Sequence, residues 1–190
     1  MEIELKYLVT EKTDTENLKK FFDDNFAHDI NMHAIYYKDA IDSTTKMLEN
    51  TTFRIREEND EKVVTLKWGG KNTNGLHERN EVNISYDEYL KGNIPLEVKD
   101  RAPKLENIVE ILEMFYVRRE FELKTDDFVA VMSIDNGEIR KNDKKLPIFE
   151  VEIEHFSGNI EKMIEFGSEF ALKYGLEPGN KSKFARGMAL

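Results

Sequence analysis

Charged and apolar residues alternate along many short segments of this chain of 190 residues. In residues 2–9, charged Glu2 and Glu4 alternate with apolar Ile3 and Leu5. Because successive side chains of a β-strand point to opposite faces, this spacing predicts a strand with one apolar and one charged face. The same period of two residues predicts further strands at 31–39, 52–58, 62–68, 78–85, 116–124, 127–135 and 148–155.

Turn sequences separate several of these strands. Residues that favour turns occur at Asn59-Asp60, Thr125-Asp126, Asn136-Gly137 and Asn142-Asp143. Asn-Gly is a strong hairpin signal, because both residue types tolerate a positive φ angle. The short connections predict antiparallel pairing of neighbouring strands.

Apolar residues spaced three and four apart predict three helices, at 14–26, 104–114 and 159–174. Thr13 or Asp14 would cap the first helix, and Gly175 would end the last. The chain is therefore predicted to be an α+β protein, mainly antiparallel β, with helices packed around the sheet. No linker or repeat divides it, so residues 1–190 are expected to form a single domain.

The composition excludes several functional classes. The net charge of −10 argues against nucleic acid and membrane surfaces as partners of the protein as a whole. The chain has no cysteine, which removes thiolate nucleophiles and zinc–sulfur sites and is compatible with a cytoplasmic location. No apolar run is long enough to predict a membrane span.

The charged strand faces carry the functional signal. Neighbouring carboxylates on one face repel each other unless a cation lies between them. Glu2 with Glu4, and Glu150 with Glu152, show this spacing. Oxygen ligands of this kind suit Mg²⁺ or Mn²⁺. Glu154 continues the second acidic face, and we interpret it as solvated or paired in a salt bridge.

Basic strand faces accompany the acidic ones. Arg54 and Arg56 share one face, and Lys67 and Arg79 lie on two further strands. Guanidinium groups match phosphate oxygens, so a barrel with these faces inward would surround a polyanion. The alternative is an open sheet whose charged faces meet water.

These residues resemble the motifs of the CYTH superfamily, the triphosphate tunnel metalloenzymes. The resemblance begins with Glu2-Ile3-Glu4-Leu5-Lys6 and ends with Lys181 to Gly187. The intervening matches, in family order, are Phe53 to Arg56, Thr65 to Lys67, Arg79 to Glu81, Arg118-Arg119, Asp135 and Glu150 to Glu152. One segment departs from the pattern, because Lys38 separates Tyr37 from Asp39 and Ala40 stands where threonine is usual.

The resemblance implies a closed eight-stranded β-barrel tunnel with surrounding helices, and hydrolysis of a triphosphate that uses Mg²⁺ or Mn²⁺. It implies as metal ligands Glu2, Glu4, Glu81, Asp135, Glu150 and Glu152. It implies as substrate-binding residues Lys6, Arg54, Arg56, Lys67, Arg79, Arg119, Lys183 and Arg186. The residues expected to act in the chemistry itself are Lys6, Glu4, Glu152 and Lys67.

The substrate stays open at this stage. Inorganic tripolyphosphate is the first choice, because it needs nothing beyond the charged tunnel. Thiamine triphosphatase and class IV adenylyl cyclase are alternatives, and Trp68 is a candidate for stacking on an organic ring, although its strand face predicts core packing. A non-catalytic polyphosphate or nucleotide sensor is a further alternative. The number of metal ions and a homodimeric state are also open.

Overall fold

A computed structural model describes residues 1–39 and 51–190 of the protein. Its strands are β1 (Glu2–Leu8), β2 (His28–Asp39), β3 (Thr51–Glu58), β4 (Glu61–Thr73), β5 (Leu76–Ser85), β6 (Ile108–Lys124), β7 (Phe128–Lys141), β8 (Lys144–Gly158) and the short β9 (Glu177–Pro178). Its helices are α1 (Thr15–Asp24), α2 (Tyr86–Leu90), α3 (Ile160–Tyr174) and α4 (Lys183–Met188), with 3-10 turns at Lys99–Arg101 and Leu105–Asn107.

The eight long strands close into an antiparallel barrel, which confirms the predicted fold class. Their order is β5-β4-β3-β2-β6-β7-β8-β1, and β1 pairs with β5 to close the ring. Closure leaves no free edge among these strands. The two residues of β9 pair with the end of β1.

The strand register turns the charged faces inward. Lys6 lies opposite Glu152, and Glu2 lies opposite Arg79. Directly opposed residues of neighbouring strands share a face of the sheet. The alternation seen in the sequence therefore separates an interior face from an exterior face around the whole barrel.

Apolar clusters lie on both sides of the barrel wall. Leu18 of α1 and Met163 of α3 cover one exterior cluster, and Tyr89 of α2 covers another. A third cluster, which includes Tyr36, Met114 and Ile139, lies inside the barrel. The interior is thus apolar in one part and charged in the other.

The first and third predicted helices are confirmed as α1 and α3. Asp14 caps α1, since its side chain accepts a hydrogen bond from the backbone N–H of Asn17. Gly175 ends α3 with a φ of 68°, the left-handed conformation that glycine adopts most easily. The predicted strand at residues 31–39 is also confirmed, because β2 covers them.

The predicted helix at 104–114 is wrong. The 3-10 turn at Leu105–Asn107 lies in this range, and Ile108 then begins β6. The apolar run there is rich in β-branched residues, and Val109 and Leu112 pair with β2. Strand pairing in the barrel overrides the helical spacing, which is ambiguous in so short a run.

The predicted hairpin at Asn136-Gly137 is also wrong, because both residues lie inside β7. Gly137 pairs with Tyr116 on one side and Ile148 on the other. A Cβ atom at this position would lie 2.0 Å from the carbonyl oxygen of Phe115. A glycine at this position therefore allows β6 and β7 to lie close together. The other predicted turns are confirmed, and Asn59 and Asn142 have positive φ angles.

Ala40, which stands where the family usually has threonine, lies outside the described residues. Among the helices that the structure describes, none combines the length and the apolar character needed to cross a membrane.

Replacing Gly137 with alanine should strongly destabilise the barrel. The new methyl group would overlap backbone and side-chain atoms of β6, and we expect a loss of about 3 kcal/mol or more in the free energy of unfolding. Gly92→Ala is the control, since no atom lies within 4 Å of its Cβ position and only its φ of 78° resists the change. Urea denaturation would measure both, and equal losses would contradict the packing argument.

Candidate functional site

A charged cavity of about 150 Å³ occupies the barrel interior. All eight long strands except β7 contribute residues to its wall, and so does the start of α4. The cations along it are Lys6, Arg54, Arg56, Lys67, Arg79, Arg118 and Lys183. The carboxylates along it are Glu2, Glu4, Glu81, Glu152 and Glu154.

A buried group of ion pairs, which we call the inner network, lies at the α4 side of this cavity. Its acids are Asp135, Glu150 and Glu152, whose carboxylate oxygens lie within 4.8 Å of one another. Lys183 Nζ lies 2.6 Å from Asp135 and from Glu150, and 2.9 Å from Glu152. Lys6 also contacts Glu152 and lies 3.2 Å from Glu150. Two lysines thereby offset the repulsion among three carboxylates.

Two arginines complete the inner network. Arg118 donates a pair of hydrogen bonds to Asp135, both 2.8 Å long, and a third to Glu152. Arg186 of α4 contacts Glu150. The paired fork of Arg118 fixes its orientation as well as its charge.

The pKa values of Glu152 and Lys183 reflect these contacts. Burial raises the pKa of Glu152, but the charges of Lys183, Lys6 and Arg118 outweigh burial and hold that pKa well below its usual value. Burial lowers the pKa of Lys183, and Asp135 and Glu150 more than reverse the effect. Glu152 and Lys183 therefore keep their charges at neutral pH.

A second group of ion pairs, the outer network, joins β1, β4 and β5. Lys67 lies 2.9 Å from Glu2 and also contacts Glu81. Arg79 lies 2.6 Å from Glu2 and 2.8 Å from Glu4. These acids and bases are the sequence-predicted ones, and the structure brings them together.

Arg54 differs from the other cations. It is only 7% exposed, and its Nη2 donates a hydrogen bond of 3.1 Å to Thr65. Its Nε atom has no hydrogen-bond partner, and no carboxylate of the described chain pairs with it. Beside it, burial raises the pKa of Tyr36, but the charges of Arg54, Lys67 and Arg79 leave that pKa below its ordinary value. The charge of Glu81 acts on Arg54 without forming a salt bridge in the described part of the chain, so the Arg54 guanidinium keeps a free donor at the cavity wall.

Glu154 is the opposite case, and its exposure agrees with the solvated alternative of the sequence interpretation. It lines the same cavity, still open to solvent, and no lysine or arginine of the described chain forms a salt bridge with it. Partial desolvation and the charges of Glu2, Glu81 and Glu4 raise the pKa of Glu154 to about 7. The sequence did indicate that Glu154 shares the interior strand face, because it continues the spacing of Glu150 and Glu152.

The structure places one of the predicted substrate-binding residues outside the cavity. Arg119 lies on the exterior of the barrel, where its Nη2 is 2.7 Å from Asp23 of α1. Arg118 takes the interior position opposite Asp135. Two adjacent arginines give no sequence signal that identifies the inward one, since either phase of the alternation offers the same residue type.

Three further predicted residues lie behind the cavity wall. Asp135 and Glu150 are fully buried beneath Lys183, and Arg186 pairs with Glu150 from α4. They contact the wall residues but do not line the cavity.

The segment that precedes α4 is tied to the barrel by hydrogen bonds. Gly179 donates to the carbonyl of Lys6, and His77 Nε2 lies 2.7 Å from the Gly179 oxygen. The Asn180 side chain accepts from the backbone N–H of Gly75 at 2.9 Å. These bonds position Lys183 at the cavity.

Comparisons with known proteins agree with this arrangement. The CYTH domain family matches residues 1–188 of the chain. An inorganic triphosphatase from Haemophilus influenzae is 28% identical over 144 residues, which cover 72% of this chain and 40% of that relative. The match therefore spans well under half the length of that protein.

Solved structures share the fold. A Hippeastrum protein, described as an adenylyl cyclase candidate with a dominant triphosphatase activity, is similar at a TM-score of 0.75 and 18% identity, over all of this chain and 96% of that one. A protein from Pyrococcus horikoshii is similar at a TM-score of 0.60 and 17% identity, over 100% and 99% of the two chains. At such identities the likeness concerns the fold.

Opposite effects are expected when Glu154 and Glu150 are changed to glutamine in the ligand-free protein. The folded-state pKa of Glu154, about 7, exceeds its ordinary value of 4.5, so its ionisation destabilises the fold as the pH rises between these values. Glu154→Gln should therefore raise the free energy of unfolding above pH 7, by about 1 kcal/mol after solvent screening, and should do nothing below pH 4.5.

Glu150→Gln should instead lower the free energy of unfolding by about 3–5 kcal/mol at neutral pH, since it leaves buried cations without their partner. Urea denaturation across the pH range would measure both variants. A Glu154→Gln protein that is no more stable than wild type at high pH would contradict the excess of negative charge at that position.

Proposed function

Because this chain belongs to the CYTH domain family, we propose that it is a metal-dependent hydrolase of a small-molecule triphosphate. Inorganic tripolyphosphate is the first candidate substrate, and Mg²⁺ or Mn²⁺ is the proposed metal. The similarity to an inorganic triphosphatase supports this choice. The argument below rests on the residues of this chain.

Arg54 is the observation that carries the proposal. A buried guanidinium that forms no salt bridge is unfavourable when only the more distant charge of Glu81 offsets it, and a bound anion would complete its hydrogen bonds. Arg56 lies on the same strand face, and although its Nη2 contacts Glu58, its Nε has no hydrogen-bond partner among the described residues. The free donors of these two neighbouring guanidinium groups match the oxygens of a phosphate chain.

The carboxylates across the cavity fit a divalent cation. Desolvation and then the charges of Glu2, Glu81 and Glu4 raise the pKa of Glu154 more than Lys67 lowers it, so carboxylates crowd this part of the wall. Hard oxygen ligands are those that Mg²⁺ and Mn²⁺ take. We therefore assign metal binding to Glu2 and Glu4, with Glu154 and Glu81 as further ligands.

Asp135, Glu150 and Glu152 remain candidates by their clustering. Asp135 and Glu150 do not line the cavity, and Glu152, which does, contacts three cations of the inner network. We accordingly propose that their main role is to hold Lys6, Lys183 and Arg118 in place.

The proposed reaction adds water to the terminal phosphorus and breaks its bond to the bridging oxygen. A bound metal ion would neutralise phosphate oxygens and acidify a coordinated water. Lys6, Arg54 and Lys67 would stabilise the charge that develops on the phosphoryl oxygens. Tripolyphosphate would thus give orthophosphate and pyrophosphate, with no covalent intermediate.

Carboxylates of the cavity would orient the reacting groups. Lys67 and Arg54 outweigh the effect of burial and lower the pKa of Glu81, so this carboxylate stays ionised and can accept a hydrogen bond from the attacking water. Glu4 holds Arg79 beside the substrate path, and Glu152 holds Lys6.

Substrates with an aromatic ring are less well accommodated. Trp68, a candidate for stacking, packs against the exterior cluster beneath Tyr89 and has Arg101 over its ring. Tyr36 lines the cavity, but Phe184 packs against its ring at 4.9 Å. A thiamine or adenine ring would have to displace this packing.

A sensor that only binds polyphosphate fits the cavity less well. Such a protein gains nothing from carboxylates that repel its ligand. Glu154, which forms no salt bridge with the described lysines and arginines, would weaken anion binding unless a metal ion were bound there.

Phosphate release from tripolyphosphate, ATP and thiamine triphosphate tests the proposal. We expect the fastest release from tripolyphosphate in the presence of Mg²⁺ or Mn²⁺. Excess chelator should reduce it by about 100-fold or more, because the metal supplies several kcal/mol of charge stabilisation. Full activity in chelator would remove the metal from the mechanism, and a cyclic nucleotide from ATP would identify a cyclase instead.

Arg54→Ala should weaken tripolyphosphate binding by about 10–100-fold, the effect of losing hydrogen bonds to a charged group. Arg54→Lys should have an intermediate effect, since it retains the charge but not the fork. Arg119→Ala is the matched control, because this arginine lies outside the barrel. Calorimetric titration would measure the three variants, and equal affinities for Arg54→Ala and wild type would contradict an inward anion site.

A further inference from the structure

Asn83 lies between Arg54 and Glu81 on the wall of the charged cavity, which all three residues line. Arg54, Thr65 and Asn83 stand directly opposite one another in one row across β3, β4 and β5. Glu81 is two residues from Asn83 on β5 and therefore shares its strand face. Asn83 is thus the residue at which the row of Arg54 meets the strand that carries Glu81.

A continuous chain of three hydrogen bonds, which we call the relay, joins Arg54, Thr65, Asn83 and Glu81. Arg54 Nη2 donates to the Thr65 hydroxyl at 3.1 Å, and that hydroxyl donates to Asn83 Oδ1 at 2.7 Å. The other end of the amide, Nδ2, donates to Glu81 Oε1 at 2.7 Å. Every hydrogen bond of the relay therefore points the same way, from the guanidinium to the carboxylate.

From this arrangement we propose that Asn83 is a positioning residue, which couples the phosphate-binding guanidinium of Arg54 to the water-orienting carboxylate of Glu81. The inference rests on the proposed function, which gives those two residues their roles. Asn83 itself takes no part in making or breaking a bond. It holds the carboxylate at a fixed place relative to the guanidinium, so that the attacking water and the terminal phosphoryl group meet in the reactive geometry.

The hydrogen-bonding chemistry of this place suits an asparagine. Thr65 is fully buried, and its hydroxyl has one hydrogen to donate, which goes to Asn83 because Arg54 can only donate. Asn83 must therefore accept on the side of Thr65 and donate on the side of Glu81, and an amide does both within one short side chain. An aspartate at this position would accept from Thr65 but would repel Glu81.

Asn83 supplies the second contact that orients the Glu81 carboxylate. Lys67 contacts Glu81 as well, but it also lies 2.9 Å from Glu2. A lysine shared between two carboxylates fixes neither orientation, because its ammonium group has no planar fork. The amide of Asn83 contacts Oε1 of Glu81 whereas Lys67 contacts Oε2, so the two neighbours together fix the plane of the carboxylate.

Steady-state kinetics with tripolyphosphate test the relay. Asn83→Ala should lower kcat about tenfold and raise KM about threefold, the effects of losing one hydrogen bond to a charged group and one to a neutral hydroxyl. Because Asn83 is exposed, this variant should keep the wild-type free energy of unfolding, which urea denaturation would measure. Asn80→Ala is the matched control, since Asn80 is exposed on the opposite face of the same strand, and it should retain both kinetic constants.

A double-mutant cycle with Thr65 separates a positioning role from direct contact with the substrate. Thr65→Val removes the hydroxyl with little change of shape and should raise KM, whereas Thr65→Ser retains the hydroxyl and should keep the wild-type KM. In the Thr65→Val background, Asn83→Ala should raise KM no further, because the connection to Arg54 is already broken. A further threefold rise in that background would mean that Asn83 contacts the substrate itself and would overturn the positioning role.

The possible failures are distinguishable. Unchanged kcat and KM in Asn83→Ala, or equal losses in Asn80→Ala, would overturn the relay and leave the triphosphatase proposal intact. If the wild-type protein does not hydrolyse tripolyphosphate at all, the proposed function fails. Calorimetric titration with tripolyphosphate in excess chelator would then decide on the relay separately. A threefold loss of affinity in Asn83→Ala that is absent in the Thr65→Val background would support it, and equal affinities of Asn83→Ala and wild type, or no binding to either, would overturn it.

Discussion

Opposite charges confined inside a closed barrel are the constraint on which the rest of this structure depends. Each ionised group loses much of its hydration when the barrel closes, and only close pairing offsets that loss. Lys183 shows how this is achieved, since its single ammonium group lies within 3 Å of three carboxylates. Such contacts require side chains from β7, β8 and α4 to meet at one point, so they specify the register of the strands as well as their charge.

The balance of charge is uneven along the interior, and this unevenness separates structural from functional residues. In the inner network every carboxylate has cation partners, and every cation has carboxylate partners. Within the part of the chain that the structure describes, Arg54 and Glu154 form no salt bridge, and they lie on different parts of the cavity wall. A cavity that presents an unpaired cation and an unpaired carboxylate favours a ligand carrying both signs, which a metal–polyphosphate complex does. The unpaired groups are thus better guides to function than the larger network of paired ones.

Much of the architecture could be predicted because one period governs it. Alternation identified the strands and the face on which Glu4, Lys6 and Lys67 lie, and the order of the motifs identified the closed barrel. The predictions failed where this period was ambiguous. The apolar run after Pro103 fits a helix and a strand equally well until β2 pairs with it, and Asn136-Gly137 has the composition of a turn although close strand packing requires the glycine.

The candidate site shows the same limit at the level of single residues. A shift of one position moves a side chain from the interior to the exterior, so two adjacent arginines cannot be told apart until the register is known. Asp135 determines the outcome, because its carboxylate faces inward and holds Arg118 by both fork nitrogens. For Glu154 the spacing alone predicts the strand face. It does not predict whether a lysine or arginine of the described chain lies close enough to form a salt bridge. The inward direction of a side chain can be inferred from the periodicity of one strand, whereas the charge balance around Glu154 depends on residues of three other strands, β1, β4 and β5.

The site also forms only when the whole barrel does. Lys6 and Lys183 stand near opposite ends of the chain and meet on the same carboxylate, Glu152. No local segment can hold these groups together, because each of them is carried by a different element. A ligand that binds here therefore also stabilises the pairing of β1 with β5 and β8 and the packing of α4 against the barrel. The cavity and the stability of the fold are coupled through the same ion pairs, and a ligand that replaces some of these pairs must supply equivalent charge where it displaces them.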